Sequence, residues 1–141
     1  MVELTEFLKT QFKRPGTIPP LFVGSILIVV ALIVGISDNP PGVWLVYLGL
    51  IFLCFSLVHH WREAGRFGTL LAVAVISFPV LVLIHNIFDT LNDKIGNVPV
   101  VNQLFGGLAA ISFIGGVLIA PAVVMVGVIG GLFYLIKKQP K

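Results

Sequence analysis

Charge is what this chain has least of. Only 11% of its 141 residues are Asp, Glu, Lys or Arg, against roughly 25% in an ordinary soluble domain. Hydrophobic residues make up 57% and the mean hydropathy is +1.07. So few charged side chains could not cover the surface of a water-soluble fold of this length, so lipid has to solvate much of it. Cysteine is nearly absent too. The single Cys54 lies inside an apolar run, which excludes a disulfide framework and any cysteine-rich metal motif. Nucleophile elbows, phosphate-binding glycine loops, zinc-type clusters and paired intramembrane carboxylates are all missing, so the expectation is a protein that is not an enzyme.

Four stretches are free of Asp, Glu, Lys and Arg: Thr17 to Ser37, Gly42 to Val58, Phe67 to Phe88, and Val98 to Ile136. The first three each match one bilayer crossing, which takes about 17–25 residues. Between them lie turn formers and charges, Asp38 to Gly42, His59 to Arg66 and Asp89 to Pro99. The fourth stretch is too long for one upright span, and Pro121 divides it. No polar turn surrounds that proline, so the span is placed at about 113–136. Residues 98–112 form an apolar segment before it, lying at the interface, tucked into the protein, or extending the helix outward. The expected fold is an all-α integral membrane bundle of four transmembrane helices, spanning about 17–37, 42–58, 67–88 and 113–136, in a single domain over 15–141.

The charges that are present alternate by segment. Lys9, Lys13, Arg14, Arg62, Arg66, Lys137, Lys138 and Lys141 fall on one side of this topology and only Lys94 on the other. Such a split calls for an even number of crossings and, by the positive-inside rule, puts both termini in the cytoplasm, as in a cell (inner) membrane protein. Nine basic against six acidic residues could suggest nucleic acid in a soluble chain, but topology accounts for the excess here and no nucleic-acid partner is expected. Glu3 and Glu6 speak against a basic leader. Leu4, Phe7, Leu8 and Phe12 share one helical face until Pro15 and Gly16, which predicts a short amphipathic interfacial helix over 1–14. Trp61 and Tyr134 are expected to anchor one interface, and Trp44, Tyr47 and Phe88 the other.

No acid or base lies within the spans, which removes the usual means of ion transport or proton relay. A self-associating channel would have to use Ser25, Ser56, Thr69 and Ser77, because Asn102 and Gln103 precede the last span. The histidines are the remaining candidates for ligation. His59 and His60 close the second span, while His85 lies seventeen positions past Gly68, about 25 Å across the membrane. One chain cannot clamp a haem between them, but a single imidazole could ligate haem or chlorophyll, alone or shared with another subunit. His85, Asp89 and Asp93 follow at i, i+4 and i+8, a conceivable surface metal site if the helix continues beyond Asp89. Without such ligation no cofactor is expected.

Small residues carry the remaining information, because helices in lipid associate by close backbone approach. Gly24, Ala31 and Gly35 share one face of the first span; Gly116, Ala120, Gly127 and Gly131 share one face of the last. These faces pack either within the chain or against another integral membrane subunit. Pro79 and Pro121 deprive the carbonyls of Val75 and Val117 of their usual donors. Arg62 and Arg66 are placed to meet anionic lipid headgroups or a partner's acidic loop. The functional expectation is a small non-catalytic subunit, or an assembly or stabilising factor, of a larger membrane complex. A haem- or chlorophyll-binding subunit is the alternative, and a small channel or transporter the second one.

Overall fold

The fold is that of a computed structural model whose described residues are 6, 9–10, 12–36, 39–95 and 98–137. It is all-helical among those residues, with four helices. We number them α1 (Ile18–Val34), α2 (Pro40–Val58), α3 (Ala64–Ile95) and α4 (Pro99–Lys137). The last three are long and apolar enough to cross a membrane, and α1 is a shorter apolar helix. Prolines open α1, α2 and α4, where a missing N–H costs nothing because no carbonyl precedes it in the helix. Gly35 ends α1 with φ of +92°, a conformation costly for any side chain, and its N–H returns to Ala31. The Asn39 amide donates to the Val34 carbonyl, so one orphan acceptor at the end of α1 is satisfied by the residue just before α2.

The helices stand in a row rather than closing a ring. α1 packs chiefly on α2, α2 on α4, and α4 on α3. Gly24 and Gly49 make the first of these contacts: a Cβ on Gly24 would lie 2.8 Å from the Gly49 carbonyl, and one on Gly49 would lie 3.0 Å from that of Gly24. Gly42 sits so close to the Gly35 carbonyl that no side chain fits. On the other side, Gly116 rides on Leu81, and a Cβ on Gly127 would stand 3.2 Å from the backbone of Leu71. The best-buried cluster, Val58, Phe67 and Val126, lies where α2 ends and α3 begins. The two edge helices keep large apolar side chains exposed, Phe22 and Ile33 on α1 and Ile76 and Leu83 on α3. A chain so arranged depends on lipid or protein around it.

Residues 98–112 extend the last helix outward, the third of the alternatives the sequence left open. α4 is interrupted only by a wider π-helical turn, Ile114–Ile119, in which the Ala120 N–H reaches the Gly115 carbonyl five residues back. α3 likewise begins at Ala64 and continues past Asp89 to Ile95, longer than the expected span of 67–88. At 1.5 Å per residue α3 is about 48 Å long and α4 about 58 Å, against about 26–29 Å for α1 and α2. α2 packs on α4 chiefly from the π-helical turn onward, so the end of α3 and the start of α4 form a hairpin that projects beyond α1 and α2. Most of the interfacial helix expected over 1–14 lies outside the described residues; Glu6, Lys9, Thr10 and Phe12 are helical, with a 2.9 Å ion pair from Lys9 to Glu6.

Candidate functional site

Polar chemistry collects at the end of the row where the Arg14–Thr17 turn, the loop from His59 to Glu63 and the last turns of α4 meet. His59 follows directly on α2, and its ring lies between two carbonyls, Nδ1 2.9 Å from that of Ser56 and Nε2 3.2 Å from that of Pro15, to one of which a ring with a single N–H donates. Gly16 lies against this ring and is required by its φ of +92° rather than by space, because a Cβ there would stand at an ordinary 3.4 Å from the ring edge. His59 thereby ties the segment before α1 to the end of α2. His60 presents a buried Nδ1 with no hydrogen-bond partner. Burial, and then the charges of Arg14, His59, Arg66 and Arg62, hold its pKa below the ordinary histidine value.

An aromatic stack orders the rest. Trp61 meets the Phe67 ring edge-on at 5.4 Å, and Phe67 stacks on Tyr134 at 5.8 Å with the planes only 13° apart. Phe67 is 3% exposed and lies over Gly130, where a Cβ would come within 2.3 Å of its ring. The Arg62 guanidinium donates to the Tyr134 hydroxyl at 2.9 Å. Arg66 pairs with Glu63 at 3.2 Å, and the Lys137 ammonium stands 5.9 Å over the Phe133 ring. Between α2 and α4 runs an apolar groove of about 410 Å³, with Phe52 and Phe55 on one wall, Ile129 and Phe133 on the other, and His59, Arg62 and Tyr134 at its mouth. Arg62 and Tyr134 also border a cleft of about 750 Å³ that includes Glu63 and Lys137.

His85 lies near the other end, 21 residues into α3. Its Nδ1 is 3.0 Å from the Ala109 carbonyl of α4, and its ring tilts against Phe113 at 5.3 Å. His59 and His60 are therefore nowhere near it. The surface metal site does not form: no group of three His, Cys, Asp or Glu able to hold a metal exists among the described residues. Helix α3 does run through His85, Asp89 and Asp93, but His85 turns toward α4 while both carboxylates stay exposed, and eight residues separate the ends by about 12 Å. Three of the four hydroxyls offered for a pore bond back to their own helices. Ser25 donates to Leu21, Ser56 to Leu53 and Thr69 to Gly65.

The small-residue faces are occupied within the chain. Gly24, Ala31, Gly116, Ala120 and Gly127 are buried in the α1–α2 and α3–α4 contacts. Gly35 serves the turn rather than a packing face, and Gly131 is only in ordinary contact with Phe67. The closest approaches include Gly42, Gly49 and Gly130, which the glycine patterns of the first and last spans do not contain. Gly42 and Gly49 are seven residues apart on α2, a spacing that does put them on one face. Tyr47 is no interface anchor: half-buried, it donates at 2.8 Å to the Val117 carbonyl. Comparison with protein-family models, curated proteins and solved structures finds no match.

Proposed function

We propose that the chain is a non-catalytic integral membrane subunit, or an assembly or stabilising factor, of a larger membrane complex, with both termini in the cytoplasm of an inner membrane. The observation that carries this reading is the projecting α3–α4 hairpin. For all of α3 to stay within a hydrocarbon core of about 30 Å it would have to tilt by about 50°, beyond the usual 0–40°. Its far end carries Asp89, Asp93 and Lys94 and belongs outside that core. Yet the same region keeps Ile95, Val100 and Leu104 exposed, Val100 at 74%. Apolar side chains beyond the reach of lipid call for a protein surface. Because the glycine faces are filled internally, this hairpin and the outer faces of α1 and α3 are the surfaces left for a neighbour.

A photo-crosslinking residue placed at Val100 or Leu104, followed by purification in mild detergent at native expression level, tests the reading. Covalent adducts with another membrane protein are expected. A stable lone monomer with no protein adduct would sink it.

His85 supports one other reading, a haem or chlorophyll subunit. If Nδ1 donates to the Ala109 carbonyl, Nε2 is left with its lone pair, the arrangement found in metal-ligating histidines. A second axial ligand would have to come from elsewhere. Visible absorbance separates the two readings, because a colourless preparation that retains its lipid and partners leaves only the first.

A further inference from the structure

We propose that the groove between α2 and α4 is a binding site for an anionic phospholipid, with one acyl chain lying in the groove and the phosphate at Arg62. The volume of about 410 Å³ lies within the roughly 300–1,000 Å³ typical of small-molecule sites, and its walls are almost wholly apolar. One end carries the polar groups: Arg62, His59 and Tyr134 stand at the mouth. Such a gradient from hydrocarbon to cation is the chemistry of an amphiphile with a negative head.

Arg62 is positioned for this role by the fold. The Phe67–Tyr134 stack fixes the Tyr134 hydroxyl, which accepts from one guanidinium nitrogen and holds the head of Arg62 over the groove. Neither ion pair among the described residues involves it. An arginine fork has five N–H donors, so a phosphate can be taken in two-pronged fashion while the tyrosine contact persists. The surrounding charge is of the right sign. Lys137 and Glu63 border the adjoining cleft, and the one acid is paired with Arg66. Burial first, and then the charges of Arg14, His59, Arg66 and Arg62, lower the His60 pKa, and the latter part is consistent with the same positive field. The site is independent of the projecting hairpin, so either reading can fail without the other.

The whole protein, purified in mild detergent and carrying Trp44→Phe so that Trp61 reports from beside the mouth, is titrated with three probes. These are a phosphatidylglycerol, a phosphatidylcholine with the same acyl chains, and inorganic phosphate. Phosphatidylglycerol should change Trp61 emission saturably at about five- to tenfold lower concentration than phosphatidylcholine. Inorganic phosphate should neither change emission nor displace the lipid. Arg62→Gln should erase the preference between the two lipids while leaving chain binding intact, Arg62→Lys should keep most of it, and Ile129→Phe should weaken both lipids by narrowing the groove. Equal affinity for the two lipids, a preference that survives Arg62→Gln, or displacement by inorganic phosphate would overturn the proposal.

Discussion

The Tyr47 hydroxyl on α2 donates a 2.8 Å hydrogen bond to the Val117 carbonyl on α4, the acceptor to which residue 121 would return its N–H were it not proline. In hydrocarbon an unanswered carbonyl is costly, and a donor from the neighbouring helix removes that cost while joining α2 to α4 at the π-helical turn. Tyr47→Phe should therefore destabilise the protein by about 0.5–1.5 kcal/mol, read as a lowered midpoint of thermal unfolding in detergent. The loss should shrink in a Pro121→Ala background, where the backbone supplies its own donor. A double-mutant cycle showing no coupling would separate the hydroxyl from the proline.

The close crossing of α1 and α2 gives a second test. Gly24→Ala would set a Cβ 2.8 Å from the Gly49 carbonyl, a backbone atom that cannot rotate away. The helices must separate along their length, at a cost of about 1–3 kcal/mol. Gly68, in α3, has open space where its Cβ would be, so Gly68→Ala should be neutral or raise stability by up to about 1 kcal/mol through helix propensity. Equal effects of the two substitutions would show that helix propensity, and not the crossing, sets the result.

Much of this architecture was legible because it rests on quantities local in sequence. The lengths of apolar runs and the prolines and charges between them locate α1, α2 and the start of α3, and Gly24, Ala31, Gly116, Ala120 and Gly127 do lie in helix contacts. What was not legible depends on relations between helices. Nothing around Gly42, Gly49 or Gly130 says which carbonyl or ring will press on it. Tyr47, two turns into its span, reads as an interfacial aromatic until Val117 is placed beside it. Asp89, Asp93 and Lys94 look like the end of α3, although no helix breaker occurs before Gly96, so the helix runs on through them. The groove at Arg62 needs Tyr134, 72 residues away, to take shape.

The proposed orientation follows from the charge split and can be read by labelling. In a Cys54→Ser background, Lys94→Cys near the tip of the projecting hairpin should react in intact cells with a membrane-impermeant maleimide. Glu63→Cys, in the loop between α2 and α3, should react only after the cells are opened. The reverse pattern would invert the topology.

Acid should weaken the His59–Arg66 end of the protein, and His60 supplies the sign. Its folded pKa lies below the unfolded value, for burial of an unpartnered Nδ1 and then the nearby Arg14, His59, Arg66 and Arg62 all oppose a proton on the ring. At neutral pH the imidazole is uncharged in both states and nothing is lost. As pH falls through about 6.5 the unfolded chain takes up the proton first, so the unfolding midpoint should decline until the folded ring also protonates at lower pH. His60→Gln should flatten the decline between about pH 7 and 5. An unchanged slope in that variant would assign the acid sensitivity to another group.

The two glycines beneath the aromatic stack separate steric need from mere composition. Gly130 and Gly131 are neighbours near the end of α4, and Gly131 completes the only GxxxG pair with Gly127, so the sequence favours Gly131 as the packing residue. The geometry reverses that order. A Cβ on Gly130 would fall 2.3 Å from the Phe67 ring, whose faces and edge are held by Trp61 and Tyr134 and which therefore cannot swing aside, whereas a Cβ on Gly131 would sit at an ordinary 3.7 Å. Gly130→Ala should cost about 1–3 kcal/mol and disturb the stack that holds Tyr134 under Arg62, visible as a shift in Trp61 emission. Gly131→Ala should leave both stability and emission close to those of the parent, or raise stability by up to about 1 kcal/mol. If Gly131→Ala proved the more damaging of the two, the face of α4 that meets α3 would have to be rotated from the one seen here.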